Sequence, residues 1–214
     1  MANLRSGTYG NYYGSYFNES EVLSSEEMHI NAGYVFSYLT NNAWSINAIS
    51  AMLGNMQAES SINPGRWQND DVGNVSLGYG LVQWTPSTKY TDWCNEQGLS
   101  DSSEMDSNLA RILYEVANGI QWYATDKYNI SFLEFTKSTD SVESLAAAFL
   151  LNYERPADQS ESVQAYRGEL ATAWYTYLTG QTPETPTTTT TKKRRGYKFF
   201  LFGKARRNVK NRIS

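Results

Sequence analysis

The chain has 214 residues and a formal net charge of −4, yet ten of its 18 basic residues and none of its 22 acidic ones lie from residue 192 onward. Residues 1–191 therefore carry 8 basic against 22 acidic side chains, a net of −14, beside a tail of +10. This split excludes a uniformly basic nucleic-acid binder for the body. One cysteine (Cys94) and one histidine (His29) exclude a disulfide scaffold, a Cys-rich zinc fold and most Ser-His-Asp chemistry.

No stretch approaches the roughly 18 apolar residues of a membrane span. The N-terminus lacks a basic head followed by an apolar core, so no secretory signal is expected. All six tryptophans lie between Trp44 and Trp174, which suits one globular domain with two appendages.

Residues 1–23 form a Tyr/Gly-rich segment without helical periodicity, expected to be a poorly ordered arm or an aromatic arm that docks on a partner. The domain, 24–180, opens with a capping box, Ser24 and Glu27. Met28, Ala32, Val35, Phe36 and Leu39 follow at helical spacing. A second helix is expected from Ser45, a good N-cap, to about Ala58, with a turn at Asn63-Pro64-Gly65. Residues 66–84 read as turns and one or two short strands between Val75 and Trp84. Further helices are expected near 87–96, 105–118, 131–137, 141–153 and 160–178, with Ser87 and Ser141 as N-caps. The last would bury Val163, Tyr166, Leu170, Ala173, Trp174 and Tyr177. The fold class is α+β, mostly helical, with a small β lobe after the second helix. Gly180 closes the domain. A Pro/Thr linker follows at 181–191, and then the basic tail, 192–214, with an aromatic knot at Tyr197–Phe202.

Chemistry concentrates around Glu59. At a helix C-terminus the dipole disfavours a carboxylate, and apolar neighbours such as Met56 and Trp67 would desolvate it, both raising a carboxyl pKa. A carboxyl that stays protonated is what glycoside cleavage needs as general acid; the competing reading is a solvated glutamate at a frayed helix end. In Gly78-Tyr-Gly-Leu-Val-Gln83-Trp84, glycines let backbone approach a ligand. Gln83 offers donor and acceptor together, and Tyr79, Trp84 and Trp67 offer flat faces for sugar rings, unless these aromatics simply fill core. Asp70 and Asp71 are either turn residues or a source of a second carboxylate. Glu154 either lines a cleft or pairs with Arg155 or another base. Cys94 reads as a small buried hydrophobe and His29 as a surface helix residue.

Taken together, Gly54-Asn-Met-Gln-Ala-Glu59-Ser60, Ile62-Asn-Pro-Gly65, Gly78-Tyr-Gly-Leu-Val-Gln-Trp-Thr85 and Tyr153-Glu-Arg-Pro156 resemble the phage tail-tip lysozyme family over about residues 25–180. The likeness is strongest to the lysozyme domains of tail-knob proteins of small short-tailed phages of Gram-positive bacteria. The resemblance implies a lysozyme-like fold, no cofactor or metal, and cleavage of peptidoglycan glycan strands. It implies Glu59 as catalytic acid and Gln83 on the substrate strand, and it leaves Asp71 as a weakly matched second carboxylate. Ser60, Tyr79, Trp84, Tyr153 and Glu154 become substrate-binding candidates. In those tail-knob proteins a zinc peptidase domain follows the linker; with one histidine that second activity is expected to be absent or on another chain.

The expected role is a muramidase at the tip of the virion's tail, acting at the host wall during genome entry. A lytic transglycosylase, a released endolysin and an inactive glycan-binding tail protein remain open alternatives. The basic tail could dock into a phage tail protein, hold an anionic wall or membrane surface, or touch DNA through phosphates without sequence specificity.

Overall fold

The computed structural model describes residues 2–180; the expected linker and basic tail lie outside the described residues. Chain order is β1 (Asn3–Gly7), β2 (Gly10–Gly14), α1 (Ser25–Asn41), α2 (Ile46–Ser60), α3 (Thr88–Glu96), α4 (Met105–Asn118), α5 (Phe132–Lys137), α6 (Val142–Phe149) and α7 (Glu161–Thr179). A 3-10 turn at Gln68–Asp70 and a π-turn at Leu150–Glu154 complete the regular structure.

Local chemistry sets the helix ends. Ser24 and Glu27 close the capping box of α1 reciprocally. Ser45 accepts from the Ala48 N–H to start α2, and Ser141 from the Ser144 N–H to start α6. Ser87 departs from expectation: its hydroxyl donates to the Val75 carbonyl instead of capping α3.

Helix α2 is the centre of the domain. Every residue from Ala48 to Met56 is buried, because the helix is enclosed by α1, α6 and α7. Its closest neighbour is α7. A Cβ on Gly54 would lie 2.6 Å from the Ala171 nitrogen and 2.8 Å from the Arg167 carbonyl oxygen. Both are rigid backbone, so Gly54 is what permits this approach. Gly54→Ala is expected to push the helices apart and cost about 1–3 kcal/mol. A melting temperature within 1 °C of wild type (roughly 0.5 kcal/mol or less) would show that the interface yields freely.

The buried face of α7 differs from the expected one. Arg167, Gly168, Ala171 and Trp174 face inward, whereas Tyr166 and Tyr177 are exposed. The apolar side chains suggested one stripe, but the tight approach to α2 selects small residues, and a charged one that has a partner there.

Two expectations about β-structure change. Residues 3–14 are no loose arm: β1 and β2 form an antiparallel hairpin, Asn3 opposite Gly14 and Gly7 opposite Gly10. The hairpin is bound to the α3–α4 loop by Arg5, which donates to Asp101 (2.6 Å) and Ser103 (2.8 Å). Buried Asn31 of α1 grips it from below, accepting from the Tyr13 N–H and donating to the Tyr13 and Ile62 carbonyls. The partner of this aromatic segment is its own domain. Conversely, the lobe after α2 holds no extended strands. Tyr79 makes single antiparallel bridges to Trp67 and Trp84, because Gly80–Gln83 turns too tightly to extend either side.

Buried asparagines hold the lobe instead. Asn63 donates to the Ser15 hydroxyl and the Glu21 carbonyl while its own oxygen accepts from the Gly65 N–H. Asn108 of α4 accepts from the Leu81 N–H and donates to the Tyr90 hydroxyl. Satisfied polar side chains of this kind fix loop geometry where no ladder is available.

Candidate active site

Three segments meet at a cavity of about 550 Å³, within the range of small-ligand sites. The last turn of α2 brings Glu59. The lobe brings Arg66, Gln68 and Gln83. The segment after the π-turn brings Glu154 and Arg155.

Glu59 sits one residue before the end of α2, where Ser61 adopts a left-handed conformation and turns the chain away. Its side chain is 23 % exposed. The apolar neighbours expected for it, Met56 and Trp67, are wholly buried and do not line the cavity. What Glu59 meets is Arg167 of α7, whose Nη2 donates to Glu59 Oε1 while Nη1 donates to the Asn55 carbonyl at 3.1 Å.

Glu154 approaches the same Arg167 nitrogen, with Oε2 at 3.9 Å, and meets the Glu59 carboxyl there. Helix α6 widens into the π-turn after Phe149, and Arg155 in the left-handed region closes it. Widening of this kind re-aims side chains and recurs at functional sites. Here it sends Tyr153 into the core and Glu154 toward the cavity. Burial, reinforced by the negative charge of Glu59, pushes the Glu154 carboxyl well above the usual carboxylate range, against the opposing pull of Arg167. Arg155 is not its partner, because its Nη1 donates to the Gln121 and Asn152 carbonyls.

Gln83 is held in one orientation. Its amide nitrogen donates to the Arg66 and Gly80 carbonyls, so the oxygen is the atom left over, and that oxygen has no protein partner. That oxygen is buried, so the fixed amide leaves one acceptor that no protein donor satisfies.

Five other sequence candidates lie away from the cavity wall. Asp71 lies outside the cavity wall, exposed, accepting from the Asn74 side chain at 2.8 Å. Ser60 is buried and ties the end of α2 to the lobe, donating to the Met56 and Leu81 carbonyls. Tyr79 is buried against Trp67 and Phe17. Trp84 and Tyr153 are buried too, and both donate to the carboxylate of Glu115. Aromatic residues near glycines suggested sugar platforms, but these rings form the lobe's own core. Cys94 is buried, as its apolar character suggests.

The profile of a family described as phage tail lysozyme matches residues 30–178. The chain belongs to the phage tail lysozyme family. It is also 51 % identical over 166 residues to "Morphogenesis protein 1" of Bacillus phage B103, a match covering 78 % of this chain and 44 % of that protein. The chain thus spans less than half the length of this curated relative. Family membership accords with the lysozyme-like α+β fold, in which a helix end and a following lobe frame the cleft.

Sequence reasoning missed Arg167, Arg66 and Glu115 as parts of this family member's site and its supports. Arg167 carried one usable signal, its place four residues before Ala171 on the inward face of α7. Its partner, Glu59, is 108 residues away in the chain, and spacing cannot reveal such a pair.

Proposed function

We propose that the chain cleaves the glycan strands of peptidoglycan, with Glu59 delivering a proton to the glycosidic oxygen as an oxocarbenium-like centre develops on the departing sugar. The observation that carries this reading is that the Glu59 carboxyl at the end of α2 and Gln83 of the lobe line one cavity. The Gln83 acceptor suits an N-acetyl N–H or a sugar hydroxyl and would hold the sugar beside the acid. Water completes the reaction at the anomeric carbon. As a phage tail lysozyme with a morphogenesis protein among its relatives, the chain is proposed to act from the virion tail on the host wall. The basic tail, 192–214, would supply attachment to wall or virion.

Muropeptide mass spectrometry after digestion of purified peptidoglycan tests the reaction. New reducing ends support hydrolysis; anhydro ends would make the enzyme a transglycosylase, and binding without new ends would leave a glycan-binding module. Asp71→Asn is expected to stay within about twofold of wild-type rate, since loss of a true catalytic group costs roughly 10²-fold or more. A fall of that size would restore Asp71 as second carboxylate.

A further inference from the structure

Glu154 is a carboxyl placed where an ionised one has little to hold it. Its side chain is 4 % exposed, no protein N–H or O–H donates to either oxygen, and the side chain it meets at hydrogen-bond range is the Glu59 carboxyl. The nearest cation, Arg167 Nη2, is 3.9 Å from Oε2, too far for a hydrogen bond, and that nitrogen already serves Glu59. Other cations of the cavity wall are engaged as well: Arg66 pairs with Asp70 at 3.1 Å, and Arg155 is bound to two carbonyls. The charged groups facing Glu154 are thus Glu59 from α2 and Arg167 from α7. Two carboxyls against one guanidinium balance only if one carboxyl is neutral, and the buried one without a donor loses most by ionising.

We infer that Glu154 is the proton store of the site: it holds the one proton shared by the two carboxyls and passes it to Glu59 during reaction. The inference rests on the proposed cleavage at Glu59. It also answers how an acid catalyst operates while its carboxyl faces a guanidinium. The proton moves from Glu154 to Glu59 and on to the glycosidic oxygen, as the bond from that oxygen to the anomeric carbon breaks and its electron pair stays with the leaving alcohol. Water oxygen then bonds to the anomeric carbon, and the proton that water releases returns to the pair. Glu154 touches no reacting atom and is a positioning residue for the proton. The direction of its carboxyl shift agrees with this placement.

The readout is the pH dependence of cleavage of purified peptidoglycan. Glu154→Gln is expected to move the alkaline limb of the profile down by about one pH unit or more, because the pair no longer stores a proton beside the arginine. Arg167→Gln is expected to move it up. A Glu154→Gln protein that melts cooperatively, is slower, and shows an unmoved limb would overturn the inference.

Should that variant not fold, carbon-13 NMR titration of the glutamate-labelled full chain decides. A carboxyl titrating above the ordinary range should move down in Glu59→Gln, and no such movement overturns proton sharing. Wild-type cleavage by Glu59→Gln alongside a moved titration would instead sink the catalytic reading of Glu59 while the shared proton stands.

Discussion

Glu59→Gln is expected to lower the release of new chain ends from peptidoglycan by roughly 10²- to 10⁴-fold, the usual contribution of a positioned general acid, while leaving the fold intact. The structural reason for choosing glutamine lies in the arginine. Arg167 donates to Glu59 Oε1 and to the Asn55 carbonyl, which ties the end of α2 to α7. A glutamine oxygen still accepts from Arg167, so the tie survives, but an amide cannot deliver a proton. Alanine would remove the tie as well, leaving the guanidinium buried beside Glu154 without its acceptor and mixing a folding defect with a catalytic one. The checks are muropeptide analysis for activity and circular-dichroism melting for the fold. Activity within tenfold of wild type, in a protein that melts like wild type, would remove Glu59 from the role of acid.

Glu115→Ala is expected to have the largest effect on stability, about 3–5 kcal/mol, as for other buried charges stripped of a partner. Glu115 is wholly buried. Its carboxylate accepts from Arg111 Nε at 2.8 Å, from Trp84 Nε1 at 3.0 Å and from the Tyr153 hydroxyl. One side chain of α4 therefore joins the lobe that carries Gln83 to the turn that carries Glu154. Truncation leaves Arg111, 9 % exposed, without a counter-charge and two aromatic donors without an acceptor. The melting temperature should fall by roughly 10 °C, at 2–4 °C per kcal/mol for a chain of this size.

Burial pushes the Glu115 carboxyl above its ordinary value in spite of its three donors. A carboxyl raised in the folded state binds its proton more tightly folded than unfolded, so its contribution to stability grows as pH falls from the raised value toward the ordinary one. Wild type should therefore gain on Glu115→Gln across that interval, and parallel stability–pH curves for the two proteins would contradict the assignment.

Both of these expectations depend on residues of different standing in the sequence. The place of Glu59 at a helix end, ahead of a turn and a Gly-rich segment, was legible locally, whereas its proposed role came from the family resemblance. Helix ends were legible locally too: Ser24, Ser45 and Ser141 act on N–H groups three residues away. The N-terminal hairpin was missed although a signal existed, since Gly7 and Gly10 flank a two-residue connection. Five-residue strands with Leu4 as their one aliphatic residue resemble an unstructured arm until the surface they cover is known. The aromatic residues of the lobe misled in the opposite direction. A tryptophan beside glycines is equally suited to a sugar or to a core, and burial decides which.

The order of elements, the turn after α2 and the place of the glutamate at its end follow from information confined to a few neighbouring residues: caps, periodicity and glycine conformations. The sequence by itself determined these, because the forces concerned act within one or two helical turns. The cluster of Glu59, Glu154 and Arg167 was decided only by the tertiary structure. Gly54 admits α7 against α2, the π-turn aims Glu154 at the same guanidinium, and desolvation then makes charge balance among the three groups decisive. Burial and through-space charge carry no sequence period, so where the site keeps its proton could be read only once the helices were packed.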